Sequence, residues 1–373
     1  MAHKIKTIAV MTGGGDCPGL NAVIRAVTKA AISKYGIKVW GIEDGYLGLI
    51  EKRLHPLSYE NVSHILSLGG TILGSNNTSN PFKYPVESRT GGSTGSPQRK
   101  VILKDVSDSC VRTLAAKKID ALVCIGGDGT QTCAAGLAKK GLTVIGVPKT
   151  IDNDLWGTDV TFGFDTAVTT ATEAIDKLRT TASSHHRVMV VEVMGRYAGW
   201  IALHSGIAGG GDVILIPEIP YRLEKVCDFV MKRNSWGKSY SIVVVAEGAK
   251  EVGGKMVVRE TVAYSPEPIR LGGIASKLAG QIEQATKLEA RSVTLGYIQR
   301  GGTPTPYDRI LATSFGFEAM ELLVNGIKNR LVVMKNGKLS SVPLSQVAGK
   351  TRTVPINSPL IKAARAVNTC FGD

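Results

Sequence analysis

The chain has 373 residues, of which 43% are hydrophobic and 20% charged, with 45 Lys and Arg against 31 Asp and Glu for a formal charge of +14. That length exceeds the ~100–200 residues of a usual single domain, so two domains sharing one body are expected, and the composition is that of a globular rather than a disordered or membrane protein. No apolar run reaches the ~20 residues of a membrane helix.

The excess of base suits an anionic partner, although on charge alone a role in solubility is an equal reading. The basic residues are scattered, aromatics make up only 6%, and neither zinc-finger spacing nor an RNA-binding aromatic motif occurs. Small phosphate compounds are therefore favoured over nucleic acid or a membrane surface.

In chain order, MAHKIKTIAVM passes within a few residues into strand-like sequence, without the apolar core and small-residue cleavage site of a signal peptide, which makes the cytoplasm the expectation. The strand KTIAVM ends in TGGGDCPG and leads to LNAVIRAVTKAAISKYG, whose apolar spacing predicts a helix beginning near Asn21 and capped by Gly36. SRTGGSTGSPQRK, Ser88 to Lys100, reads as an exposed loop. DALVCI with GGDGT, LTVIGVP with KTIDND, RVMVVEV with MGRYAG, and SIVVVAEGA then repeat the first unit, a β-branched run that ends in a loop. This is the pattern of a parallel α/β sheet, and apolar runs without alternation imply strands covered on both faces. A domain change is expected near residue 150. Beyond Gly326, VVMKNGKLSSVPL reads as a hairpin turning at Asn336-Gly337, followed by a polar, helix-like tail.

Cys17, Cys110, Cys124, Cys133, Cys227 and Cys370 show no C-x-x-C pair and read as reduced, buried small hydrophobes. The six histidines, His185-His186 included, have no metal spacing. The loops TGGGDCPG, GGDGT and PKTIDND all follow strands, and in open α/β sheets such loops gather at one crevice. GGDGT would bring backbone N–H groups close to phosphate oxygens, its Asp128 can hold Mg²⁺, and the helix near Asn21 would add its positive end. Taken alone, GGDGT can equally be a tight turn. The chain has no G-x-x-x-x-G-K-[ST] loop and no G-x-G-x-x-G after the first strand.

In PKTIDND, Asp152 and Asp154 stand two apart, which on extended backbone puts both side chains on one side. Carboxylates that close require a cation or a shared proton. A kinase uses such a group to accept the proton of an attacking hydroxyl while positive charge stabilises the transferring phosphoryl group. The alternative is a local Asx-turn.

The motifs GGGDCPGLNAVIR, GGDGT, PKTIDND, SSHHRVMVVEVMGRYAGW, VVVAEGA and RSVTLGYIQRGGTPTPYDR, in this order over about the first 320 residues, resemble those of the 6-phosphofructokinases. The resemblance is to the phosphofructokinase A type, in its mixed-substrate group. It implies an α/β fold of two Rossmann-like three-layer domains with mostly parallel sheets and an active site in the cleft between them. Residues 1–149, completed by roughly 265–325, would hold the phosphate donor; 150–264 would hold the sugar phosphate, and 326–373 would be a C-terminal extension.

By the same resemblance, Gly15 and Gly127-Asp128-Gly129-Thr130 would bind the phosphates of ATP, with Asp128 at Mg²⁺. Asp152 would accept the proton of the sugar 1-hydroxyl, and Thr150 and Asp154 would position the phosphoryl group. Met194, Gly195, Arg196 and Glu247 would bind the sugar and Arg300 its 6-phosphate, while Arg187 and Arg291 would come from an adjacent subunit of a homo-oligomer, dimer or tetramer. The implied reaction is the glycolytic transfer from ATP to fructose 6-phosphate, in the cytoplasm, without nucleic acid or membrane.

Departures from the family pattern bear on the donor. Pyrophosphate-using members typically carry Asp at the position of Gly129 and Lys at that of Lys149; this chain has the glycine and the lysine. Gly129 leaves room for an α-phosphate and favours ATP. Cys133 stands where many ATP enzymes have glycine. Asn77 stands where many relatives have an arginine bridging donor and acceptor, a charge that Lys149 would supply, and Tyr297 replaces a histidine at a sugar contact. Arg25, Arg179 and Lys238 match effector contacts of the family, whereas Asp212 and Trp236 do not. The alternatives are a pyrophosphate-dependent enzyme, a non-catalytic sugar-phosphate or nucleotide-binding subunit, and a lipid or NAD kinase sharing only GGDGT.

Overall fold

Apolar runs that lack alternation become strands buried at every position, as in Ala121–Gly126, Val144–Pro148, Val188–Val193 and Ser241–Ala246. A strand covered on both faces needs helices above and below it, which is the α/β solution. The computed structural model describes residues 5–89, 99–261 and 269–373. Seven strands form a large sheet in the order Lys338–Pro343, Arg330–Lys335, Val144–Pro148, Ala121–Gly126, Thr7–Gly13, Lys38–Ile42, Leu54–Leu57. The inner five run parallel, and the two outermost are antiparallel to their neighbours. A four-stranded sheet, all parallel, follows the order Ala290–Thr294, Val188–Val193, Ser241–Ala246, Val213–Leu215.

From the central pair Thr7–Gly13 and Ala121–Gly126 the chain winds outward in both directions. The loops after Gly13 and Gly126 therefore part at a topological switch point, where ligands of such sheets bind. The helix expected after the first strand runs over Leu20–Lys29, continues through a π turn at Ala30–Lys34 and is closed by Gly36 at φ 65°. The chain leaves the large sheet at Pro148 and enters the small one at Val188, through the 22-residue helix Phe164–His185. That helix buries Phe164, Ala167, Ala171, Ile175 and Ala182 along one stripe.

Three expectations are corrected. The stretch after residue 326 is no separate extension: its hairpin joins the large sheet, with Arg330 beside Ile145 and Leu331 beside Gly146. Leu331, Val332 and Val333 are fully buried, and so apolar a strand has to be covered. The segment that returns to the large sheet is not 265–325, because the helix Ile274–Thr286 and the strand Ala290–Thr294 stay with the small sheet. It is the helix Pro306–Val324 that crosses back, lying on Leu20–Lys29 so closely that a Cβ on Gly316 would come within 2.8 Å of the Ala26 Cβ. The loop expected over 88–100 is partly strand, since Tyr84–Arg89 pairs with Arg99–Lys104; residues 90–98 of it lie outside the described residues.

The hairpin turn is as read, with Asn336 and Gly337 at φ 49° and 73°, the left-handed pair of a type I′ turn. The tail ends against the small sheet, where the Ile214 N–H donates to the Cys370 carbonyl at 2.9 Å. Among the described residues no helix is long and apolar enough to cross a membrane.

Candidate active site

The first glycine loop leaves its strand through Gly14 at φ 82°. Its conformation is held from the loop 71–77: the Gly14 N–H donates to the Asn76 carbonyl at 3.1 Å and the Ser75 hydroxyl to the Gly14 carbonyl at 2.5 Å. Between them lies a cavity of about 400 Å³ lined by Gly14, Gly15, Asp16, Thr71, Ser75 and Asn77. Gly15 and Asn77 thus face one space; Thr71 and Ser75 were not singled out, because a serine or threonine in a polar loop carries no spacing signal.

GGDGT is less a turn than a helix start. Gly127 is the N-cap and Asp128 the first residue of the helix Asp128–Lys139, so Gly129 and Thr130 lie in its first turn, where N–H groups are free for an anion. A Cβ on Gly129 would meet no described atom within 4 Å. The Thr130 side chain departs from the expected ligand role. It is 6% exposed and lies behind both loops, within 2.8 Å of where a Cβ on Gly13 would stand, while its carbonyl accepts the Tyr46 hydroxyl at 2.8 Å. Its backbone remains in the anion-facing turn. Cys133 packs into the core with Cys110, Leu114 and Leu137 instead of lining the nucleotide space. Burial pushes its thiol up to about 12, as it does for Cys17, Cys110 and Cys124, consistent with reduced core cysteines.

Lys149 joins the two loops. It is 4% exposed, its backbone N–H donates to the Gly126 carbonyl at 3.2 Å, and its ammonium donates to the Gly15 carbonyl. Burial lowers its pKa from the ordinary lysine value, and the nearby Arg300 charge acts in the same direction.

PKTIDND is a turn rather than extended backbone, with Asn153 left-handed at φ 51°. The Asn153 side chain accepts the Thr161 N–H at 3.1 Å, and the Thr161 hydroxyl donates to the Thr150 carbonyl at 2.7 Å. Inside this ring the Thr150 hydroxyl accepts the Asp152 N–H at 3.1 Å and donates to Asp154 at 3.2 Å. The turn, not β alternation, brings the two carboxylates together. Burial and the charge of Asp152 raise the Asp154 pKa from 3.8 to about 7. Glu247 is likewise raised to about 7, by burial and then by Asp152 and Glu192, against the opposing charges of Arg300 and Arg196. Three carboxylates and three cations, Lys149, Arg196 and Arg300, thus share one electrostatic neighbourhood.

The position of the loops expected to hold the sugar follows from strand pairing. Val188–Val193 and Ser241–Ala246 are neighbours, so the loops carrying Met194-Gly195-Arg196 and Glu247 lie side by side. The Glu247 N–H donates to the Val193 carbonyl at 2.9 Å and the Gly248 N–H to Gly195 at 3.1 Å. Gly195 has φ 134°, and a Cβ on it would come within 2.8 Å of the Ala198 carbonyl. The Met194 N–H donates to the side chain of Gln299, a fully buried residue not singled out within its sequence motif. Arg300, from the short 3₁₀ turn Gly296–Arg300, reaches the first glycine loop and donates to the Asp16 carbonyl at 3.3 Å.

Other expected residues stand apart within one chain. Tyr297 is 72% exposed. Arg187 and Arg291 meet at Glu289 on the edge of the small sheet, the former at 2.9 Å. Asp212, which departs from the family's effector residues, pairs with Arg233 at 2.8 Å.

The arrangement, two glycine loops beside a buried lysine that leads to a cluster of carboxylates and arginines, suits phosphoryl transfer. The phosphofructokinase family model matches residues 7–323. Over 374 residues the chain is 53% identical to the ATP-dependent 6-phosphofructokinase 2 of Clostridium perfringens, covering 100% of each. Over 349 residues it is 47% identical to the pyrophosphate–fructose 6-phosphate 1-phosphotransferase of Amycolatopsis methanolica, covering 93% of this chain and 96% of that one. The solved structure of Pichia pastoris phosphofructokinase superposes with a TM-score of 0.78 at 30% identity, over 99% of this chain and 37% of the larger one. With fold, loop geometry and full-length similarity in agreement, the chain belongs to the phosphofructokinase family.

Proposed function

We infer that this chain is an ATP-dependent 6-phosphofructokinase, carrying the γ-phosphate of Mg-ATP to the 1-hydroxyl of fructose 6-phosphate and yielding fructose 1,6-bisphosphate and ADP. The observation that carries the reading is the junction at Lys149, where a buried cation tied to Gly15 leads directly into the Thr150–Asp154 turn. The donor phosphates occupy the cavity at Gly14–Gly15 and the helix start at Gly127–Thr130. Arg196, Met194, Gly195 and Glu247 hold the sugar, and Arg300 spans from its phosphate toward the donor loop.

As the O1–P bond forms and the bond to the leaving ADP oxygen breaks, the hydroxyl proton passes to Asp152. Asp154, whose pKa burial and the charge of Asp152 raise to about 7, is about half protonated at neutral pH and so repels the transferring group less than an ordinary carboxylate would. Lys149 and Arg300 offset the charge that develops on the phosphoryl oxygens. Asp128 fits Mg²⁺, which needs only one or two carboxylates beside phosphates and water, and it would neutralise donor charge there. Among the described residues there is no group of three or more His, Cys, Asp or Glu of the kind a dedicated protein cage would use.

Arg187 and Arg291 complete the sugar-phosphate site of a neighbouring copy, which makes the working unit a cytoplasmic homo-oligomer with neither nucleic acid nor membrane as partner. A second reading, with pyrophosphate as donor, is favoured by the Amycolatopsis methanolica relative; Lys149, which ATP-using members of the mixed-substrate group also carry, does not decide the donor. The open space at Gly129 supports ATP. A coupled assay with each donor at saturating fructose 6-phosphate decides: turnover with ATP is expected, and its absence overturns the reading.

A further inference from the structure

Between the C-terminal hairpin and the last helix, residues 349–354 run as a strap from the donor helix to the small sheet. The Gly349 N–H donates to Asp128 at 3.0 Å, and Thr351 bridges Leu155. The Arg352 N–H donates to the Asp154 carbonyl at 2.7 Å, and its guanidinium donates to the Asn153 carbonyl at 2.9 Å. The Val354 N–H donates at 2.7 Å to Glu218, which also accepts from Gly199 and so caps the helix Trp200–Ala208. Arg352 itself is anchored on that helix. Its guanidinium lies 4.1 Å from the centroid of the Trp200 ring, and the Trp200 indole N–H donates to the Arg352 carbonyl at 3.2 Å.

We propose that Arg352 is a positioning residue for phosphoryl transfer, holding the turn that carries Asp152 and Asp154 against Trp200 of the second body. The two carbonyls it grips belong to the residue between those carboxylates and to the second carboxylate itself. Asn153 sits in a left-handed conformation with its side chain committed to Thr161, so the outward face of the turn is secured by Arg352. A planar guanidinium stacked on an indole has little freedom, which a lysine at the same place would not reproduce. Arg352 touches neither donor nor sugar in this role; it sets the spacing of the groups that do.

The proposal rests on Asp152 as proton acceptor, and the test separates the two. In the full-length chain, Arg352→Ala is expected to lower kcat about 100-fold with KM for fructose 6-phosphate and Mg-ATP within about threefold, the signature of a displaced reacting group. Arg352→Lys should recover about tenfold of that loss. In an Asp152→Ser background, Arg352→Ala should change the residual turnover less than about threefold, because both act through one group. Wild-type kcat in Arg352→Ala, or the same 100-fold loss without Asp152, overturns the proposal. An Asp152→Ser enzyme of normal activity overturns the assignment beneath it. Should Arg352→Ala not fold, Trp200→Phe keeps a stacking ring and removes only the indole donor; kcat down about threefold or more at unchanged KM is then expected, and unchanged kcat refutes the anchor.

Discussion

Gly129→Asp is the sharpest perturbation the donor site offers. A Cβ there meets no described atom within 4 Å, and the residue occupies the first turn of the helix Asp128–Lys139, so the fold accommodates the side chain. An acidic residue in a helix's first turn is favourable by about 0.3–1 kcal/mol, and Tm should hold or rise slightly. The new carboxylate projects into the space a nucleotide's phosphates would use. At about 4 Å and an effective dielectric constant near 20, one pair of like charges costs about 4 kcal/mol, a factor of about 1000 in kcat/KM. Water and Mg²⁺ screen part of this, so a loss of about 100-fold with ATP is the working expectation. Pyrophosphate has no α-phosphate or nucleoside to meet the carboxylate and should lose less than about fivefold. The assay couples fructose 1,6-bisphosphate formation to NADH oxidation with each donor in turn, with Tm measured alongside. Equal losses with both donors at unchanged Tm would refute the reasoning.

The remaining expectations follow from the same geometry. Asp152→Ser should reduce kcat by about 100- to 10,000-fold while calorimetry still detects fructose 6-phosphate binding; activity near wild type would remove Asp152 from the proton-accepting role. Asp154→Asn tests the raised carboxyl. With the folded pKa near 7 against 3.8, the native state retains a proton that the unfolded chain has lost, so stability drains away as pH rises from about 4 to 7. The variant should therefore match wild type in Tm near pH 4 and exceed it by a few degrees at pH 8, and a difference that shrinks with rising pH would contradict the sign. Glu289→Gln frees Arg187 and Arg291 from their common carboxylate on an exposed edge. Tm should not move, whereas KM for fructose 6-phosphate should change severalfold if those arginines serve a neighbour's site; an unchanged KM speaks against it.

Much of this molecule could be read from the chain alone, for identifiable reasons. Wherever an apolar run ended in glycine, the run became a buried strand and the glycine a loop at the carboxyl edge, because a strand covered on both faces and a left-handed or crowded backbone each leave a compositional trace. Lys149, Asp152 and Asp154 stood out because charge at the end of a buried run is conspicuous, whereas Glu247 was named only through the family resemblance. What escaped notice acts through ordinary residues in unremarkable settings. Gln299 serves through a buried amide, Thr71 and Ser75 through a cavity that exists only once the loop 71–77 folds over Gly14, and the strap 349–354 largely through backbone N–H groups that no side-chain pattern announces. The side-chain direction of Thr130 was hidden for a related reason: whether a helix's first turn faces ligand or core depends on how it meets the neighbouring strand. The C-terminal hairpin was recognised as a hairpin but taken for part of a separate extension, since strand order is a long-range property with no local signature.

That strand order carries a consequence for synthesis. Val144–Pro148 takes its outer neighbour from Arg330–Lys335, nearly 190 residues later, and the helix that covers Leu20–Lys29 begins only at Pro306. As the protein emerges from the ribosome, the large sheet waits with an unpaired inner edge and an uncovered helix face until most of the chain has been made. The small sheet, whose last strand ends at Thr294, can close first. Assembly of the large-sheet half is thus the late event, and the interval before it is when the nascent chain presents its most adhesive surface to other polypeptides.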